Sequence, residues 1–186
     1  MVFKGVRGSV ALDRGMRGRA YVDKTRAELS ELERAGVQMA GNAFSSILFV
    51  KGEPGPAELA GGDLLSGQDG KALRAALMRL GYAPEDWAAM GVVSPELMRR
   101  AIVTLDPSTL VMCDEAAAAA VRDTYADDLF ELALLDDAML TPGRVVQVAG
   151  MRMLNLGGFE AALASDHQKQ VVWAYLKQIP PLGEPY

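Results

Sequence analysis

Residues 47–82 read "ILFVKGEPGPAELAGGDLLSGQDGKALRAALMRLGY". The fold turns on how this stretch changes character. Its apolar start, extended to 45–51 as "SSILFVK", predicts a fully buried strand. The run stops at Gly52, the single acid Glu53 and Pro54, and a glycine-rich loop follows. "GKALRAALMRLG", 70–81, then places Leu73, Leu77 and Leu80 on one stripe and ends at Gly81, which predicts an amphipathic helix. The question is why a carboxylate stands where a buried strand opens into such a loop.

Working outward, "KTRAELSELERA" (24–35) predicts a short helix closed by Gly36. "AAMGVVS" (88–94) predicts a short strand, and Ser94 followed by Pro95 predicts a helix start with Leu97, Met98, Ala101, Ile102 and Leu105 inward. "DPSTLVMCD" (106–114) predicts a turn and another apolar strand, with Asp114 capping the helix "EAAAAAVRDTYA". "DDLFELALLDDAML" (127–140) predicts partial helix, and Thr141, Pro142 and Gly143 a turn. "RVVQVAG" (144–150) predicts a fourth strand, followed by a loop with Asn155, Gly157 and Gly158. A closing helix from Asp166 and an irregular "PPLGEPY" complete the chain.

Four apolar strands alternating with helices predict an α/β fold: a three-layer α/β/α architecture around a central, mainly parallel four-stranded sheet. Ligands of such sheets bind beyond the carboxyl ends of the strands, the edge where the Glu53 loop lies. The domain reading is a basic N-terminal arm, 1–26, and one domain over 27–186. Seven Lys or Arg against Asp13 and Asp23 make that arm either a solvated terminus or a phosphate-contacting one.

Half of the 186 residues are hydrophobic and 23% are charged, enough for a substantial core. The net charge of −5 argues against a general nucleic-acid-coating role. One cysteine, Cys113, excludes an internal disulfide framework and a four-cysteine cluster, and fits a reducing cytoplasmic location. One histidine, His167, excludes a two-histidine site within the chain. "MVFKGVRGSV" carries no long apolar stretch, so no signal peptide or membrane span is expected. No phosphate-cradling G-x-G-x-x-G follows the first strand, and no G-x-x-x-x-G-K-[ST] occurs. No metal or other cofactor is expected.

"GEPG" at 52–55, followed by "GDLLSGQDGKAL" at 62–73, resembles the uracil-DNA glycosylase superfamily, in particular the branch with a G-E-x-P-G first loop. Gly52, Glu53, Pro54 and Gly55 match that loop with one residue missing, and Gly62, Gly67, Gly70 and Leu73 keep the family spacing. The resemblance spans about residues 44–180. It implies a DNA-repair-type protein that binds DNA or a free nucleobase and hydrolyses N-glycosidic bonds. That chemistry needs a carboxylate near a cationic, oxocarbenium-like sugar and a donor where charge gathers on the leaving base. It also needs an aromatic surface for the flipped base.

Glu53 matches the acidic position; the alternative is a carboxylate bracing its own loop through backbone N–H groups. The resemblance also implies a substrate-binding rim of Gly52, Pro54, Gly55, Leu65, Gly67, Met90, Gly91, Gly150 and Met151. The family's stacking phenylalanine falls on Leu65, and its base-reading asparagine falls near Met90 or Gly91. Its second loop should open with His-Pro, but the chain reads "AGMRMLNLGG", leaving Arg152 and Asn155 as candidate donors. Base excision is therefore expected to be weak, altered or lost. The alternative is a non-catalytic protein that binds a protein partner or small molecule on the same scaffold. Cys113 is expected to be a buried inert thiol, His167 a surface or capping residue, and Trp87 and Trp173 core or interface anchors.

Overall fold

Ile47 to Val50 offer no polar face, so a strand there is stable only between two covering layers. β2 (Ile47–Lys51) is buried at all five positions, and β3 (Ala88–Gly91) and β4 (Thr109–Met112) are buried throughout as well. The computed structural model describes residues 22–179. Most of the expected basic arm and the 180–186 segment lie outside the described residues. Residues 22–26 of that arm belong to a helix, α1 (22–34).

The fold is mixed α/β, with a sheet of six strands rather than four. The others are β1 (Met39–Gly41), β5 (Val145–Val148) and β6 (Met151–Asn155), and the order is β1-β3-β2-β4-β6-β5. β3, β2, β4 and β6 run parallel; β1 and β5 flank them antiparallel. This corrects the reading of 144–158. The segment expected as the fourth parallel strand is the antiparallel edge strand β5, and the expected loop contains the true parallel strand, β6. The reversal rests on Ala149 and Gly150, whose φ values of 49° and 82° form a two-residue hairpin turn.

Side chains alternate between two cores, as a strand requires. Leu48, Val50, Met90, Leu110, Met112 and Met153 face α1, α4 (Pro95–Leu105) and α5 (Glu115–Thr124). Ile47, Phe49, Val111 and Leu154 face α3 (Gln68–Arg79), α8 (Phe159–Ala162) and α9 (Asp166–Leu176). Short helices fill the connections: α2 (Pro56–Leu59) after β2, and α6 (Ala126–Phe130) and α7 (Leu135–Ala138) in the stretch expected to be partly helical. Asp114 caps α5, its Oδ1 accepting from Ala117 N at 2.8 Å. Ser94 holds the N-cap of α4 without a side-chain bond, so Pro95 at the first turn carries that start.

From β2 the chain moves to β3 on one side, then crosses back to β4 on the other. The carboxyl ends of β2 and β4 thus diverge into loops of opposite direction. A crevice opens at such a switch point, and it is the general ligand position in this class of sheet.

Candidate functional site

A pocket of about 60 Å³ lies at the switch point, lined by Lys51, Glu53, Leu65, Asp69, Cys113, Asp114 and residues 158–161. Lys51 closes β2, and its side chain is only 4% exposed. Nζ donates to Glu58 Oε2 at 2.6 Å, to Asp69 Oδ2, and to Glu160 Oε2 at 3.4 Å. Burial alone would push the lysine pKa down, but the hydrogen bonds to Asp69 and Glu58 outweigh it and hold the ammonium above its ordinary value. The lysine is a neutralised structural cation, not a free base.

Glu58 organises the glycine-rich loop. Its Oε2 also accepts from Gly55 N at the start of α2, and its Oε1 accepts from Leu65 N at 2.8 Å. Leu65 has φ 56°, a left-handed backbone that a bulky residue adopts only when its surroundings impose it. Its carbonyl accepts from Arg74 Nη1 at 3.0 Å, and a Cβ at Gly70 would sit 1.6 Å from the same oxygen. Only glycine lets α3 approach the loop this closely.

Asp114 joins the two strand ends. Besides capping α5, its Oδ2 accepts from Gly52 N at 2.9 Å and Glu53 N at 3.1 Å. A Cβ at Gly52 would lie 2.6 Å from Ala117 N, so the glycine permits this contact. Cys113 is buried, and burial, with Asp114 beside it, raises its thiol pKa; it is a protonated packing residue.

Glu53 is exposed at the pocket, and its carboxylate makes no hydrogen bond with a described residue. The loop-bracing alternative weighed for it is carried instead by Glu58 and Asp114. Among the expected rim residues, Gly52, Pro54, Gly55, Leu65 and Gly67 share the Glu53 loop, but Leu65 is buried at 2% exposure in the α3-side core and offers no stacking face.

Other expected site residues lie away from this pocket or are committed elsewhere. Met90 is fully buried in the α4-side core, and Gly91 packs beside Gln38; neither lines this pocket. Gly150, Met151 and Arg152 sit at the opposite end of the sheet because β6 begins there. Gly150 and Met151 line a separate pocket of about 170 Å³, and Arg152 pairs in register with Thr109 and donates to Gln178 O at 2.9 Å. Asn155 does reach the carboxyl edge, but its amide is spent on structure. Nδ2 donates to Leu140 O at 2.9 Å, and Oδ1 accepts from Gly157 N at 2.8 Å.

Sequence reasoning missed Lys51, Glu58, Asp69, Phe159 and Glu160. The available signals were a lysine ending an apolar run and an aromatic directly after Gly157-Gly158. Gly158 has φ 121° and turns the chain so that Phe159 and Glu160 enter the pocket. Glu160 lies against Gly55, where a Cβ would meet both carboxylate oxygens at 2.6 Å. Glu160 is 40% exposed, so Glu53 and Glu160 are the solvent-facing acids of the site, while Phe159 is buried in the α3-side core.

A larger concavity lies elsewhere, an apolar groove of about 440 Å³ between α3 and α9, lined by Ala72, Ala76, Phe159, Val172, Trp173 and Leu176 among others. No acid lines it, and Lys169 pairs with Asp166 at 3.0 Å, so the groove lacks the chemistry of the rim. His167 is exposed in the first turn of α9. Among the described residues, no helix is long and apolar enough to cross a membrane, and no three His, Cys, Asp or Glu side chains are placed to hold a metal ion. Comparison with models of known protein families gives no match, and comparison with curated proteins gives none.

Proposed function

We propose that the protein is a divergent member of the uracil-DNA glycosylase-like superfamily that binds a nucleobase across the mouth of the switch-point pocket, with base excision weakened or altered. The observation that carries this reading is the convergence of two solvent-facing carboxylates, Glu53 and Glu160, at the crevice between β2 and β4. Glu53, with no bond of its own, is free to stabilise a sugar cation or to orient water. Five carboxylates surround the pocket — Glu53, Glu58, Asp69, Asp114 and Glu160 — against one paired lysine, so a long phosphate backbone is a poor ligand here.

The second reading is a non-catalytic binding protein on the same scaffold. It is favoured by the positions of Arg152, at the far end of the sheet, and of Asn155, whose amide is committed. Neither supplies the donor that a leaving base needs, and losing one such donor costs about 10²–10³ in rate.

The deciding experiment measures base release from single-stranded DNA carrying uracil, hypoxanthine or xanthine, and from the free nucleosides, with wild type beside Glu53→Gln. Release that falls at least a hundredfold in the variant supports chemistry at this rim. Calorimetry with the same nucleosides supports binding without turnover if affinity falls in Phe159→Ala. Neither release nor binding sinks the proposal and leaves the scaffold reading.

A further inference from the structure

The stretch over α6 and α7 is apolar on both sides. Leu129 and Leu140 are buried in the core shared with α4 and α5, and Leu132 packs against it. That already satisfies the inner side. Yet Phe130 is 89% exposed, Leu134 55%, Leu135 76% and Met139 49%, four large hydrophobic side chains within ten residues. Single exposed apolar residues need no explanation, but a cluster marks a contact surface.

The segment's own charge has one sign; the cations that reach it come from elsewhere, Arg99, Arg144 and Arg122, whose Nη1 donates to Met139 O at 3.0 Å. Residues 123–143 contain six acids and no Lys, Arg or His. Asp128 pairs with Arg99 at 3.1 Å and Asp137 with Arg144 at 2.6 Å, while Asp123, Asp127, Glu131 and Asp136 form no ion pair with a described residue. Three of those four, Asp127, Glu131 and Asp136, directly neighbour the exposed hydrophobics in sequence or within one turn. An anionic lipid surface or a nucleic acid would be repelled. A second copy meeting this surface through a two-fold axis would set the same acids against each other.

We propose that Phe130, Leu134, Leu135 and Met139 form the docking surface for a cationic amphipathic segment of a protein partner, one that presents an apolar helical stripe bordered by Lys or Arg. The apolar side chains supply affinity by leaving water, and the acidic fringe supplies orientation and rate of encounter. This surface is independent of the switch-point pocket and stands whether or not that pocket is catalytic.

The test uses the full chain and a fluorescent helical peptide built only of leucine and lysine with one apolar face, read by anisotropy at low and physiological salt. The expected result is saturable binding that weakens about tenfold or more in Phe130→Ser/Leu135→Ser, as the loss of one buried side chain of this size implies. Asp127→Asn/Glu131→Gln is expected to flatten the salt dependence while leaving the high-salt affinity near wild type. Equal binding by wild type and the serine variant overturns the proposal, as does equal binding of a scrambled peptide of the same composition. Sedimentation showing a wild-type dimer that the serine variant dissociates assigns the surface to a second copy and also overturns it. A tenfold gain in peptide affinity on Arg14→Ala/Arg17→Ala/Arg19→Ala overturns it too, because the chain's own basic N-terminal stretch is then the occupant.

Discussion

At the switch point the protein buries charge; over α6 and α7 it exposes hydrocarbon. Lys51 and Asp69 are almost wholly out of water, whereas Phe130 and Leu135 lie almost wholly in it. The two regions invert the usual sorting for different reasons. The rim is tolerable because Lys51 meets Glu58 and Asp69 in hydrogen-bonding geometry and Asp114 accepts from the backbone N–H groups of Gly52, Glu53 and Ala117, so removing the lysine leaves its acids uncompensated. The strip is tolerable because Leu129, Leu132 and Leu140 already fill the core beneath it, so its outer side chains contribute little to folding. Stability therefore resides at the rim, and freedom to evolve a contact resides on the strip.

The largest expected effect is at Lys51. Lys51→Met strands Glu58 and Asp69 in a buried site and should cost about 3–5 kcal/mol, read as a fall in the denaturant midpoint. Pairing it with Asp69→Leu should recover part of that loss; no recovery would mean that the lysine acts through packing rather than charge. The pH dependence sharpens the point. Because the folded-state pKa of Lys51 is raised, its contribution is fully present below the unfolded-state value and is lost only as pH climbs through the folded one. The midpoint difference between wild type and Lys51→Met should then stay flat from about pH 7 to 9, near-neutral pH lying well below the ordinary lysine pKa.

Gly70→Ala comes next. Its Cβ cannot coexist with the Leu65 carbonyl 1.6 Å away, so loop and helix must separate, at about 2–3 kcal/mol. A thermal melt measures it, and a loss below about 0.5 kcal/mol, the range of an ordinary surface substitution, would show that the loop is not locked to α3. The smallest effect is on the strip: Phe130→Ser/Leu135→Ser should change stability by no more than about 0.5 kcal/mol per site. A larger loss would break the contrast, since those side chains would then be part of the folded core.

What was legible in the sequence follows from how local each signal is. The buried strand expected at 45–51, the helix expected at 70–81, the Ser94-Pro95 start and the Asp114 cap all depend on residues within a few positions of one another, and the structure has a strand at Ile47–Lys51, a helix at Gln68–Arg79 and both helix starts. β6 was not legible because "MRMLN" has no β-branched residue and its short alternation breaks at the adjacent pair Met153-Leu154. Missing the Ala149-Gly150 reversal then moved the second loop by a whole strand and carried Arg152 to the wrong end of the sheet. Glu53 was found because it is adjacent to the strand it follows. Lys51, Glu58, Asp69 and Glu160 were not, because up to 109 residues separate partners that only the completed sheet brings together.

The sheet's margins have a consequence of their own. Its parallel interior would present long unpaired backbone to a neighbouring molecule if it ended at β3 and β6. Instead each flank is finished by a reversed strand, three residues long at β1 and four at β5. So short a ledge of free amides and carbonyls is a weak template for adding a foreign strand, which favours a chain that stays dispersed at high concentration instead of growing into ribbons.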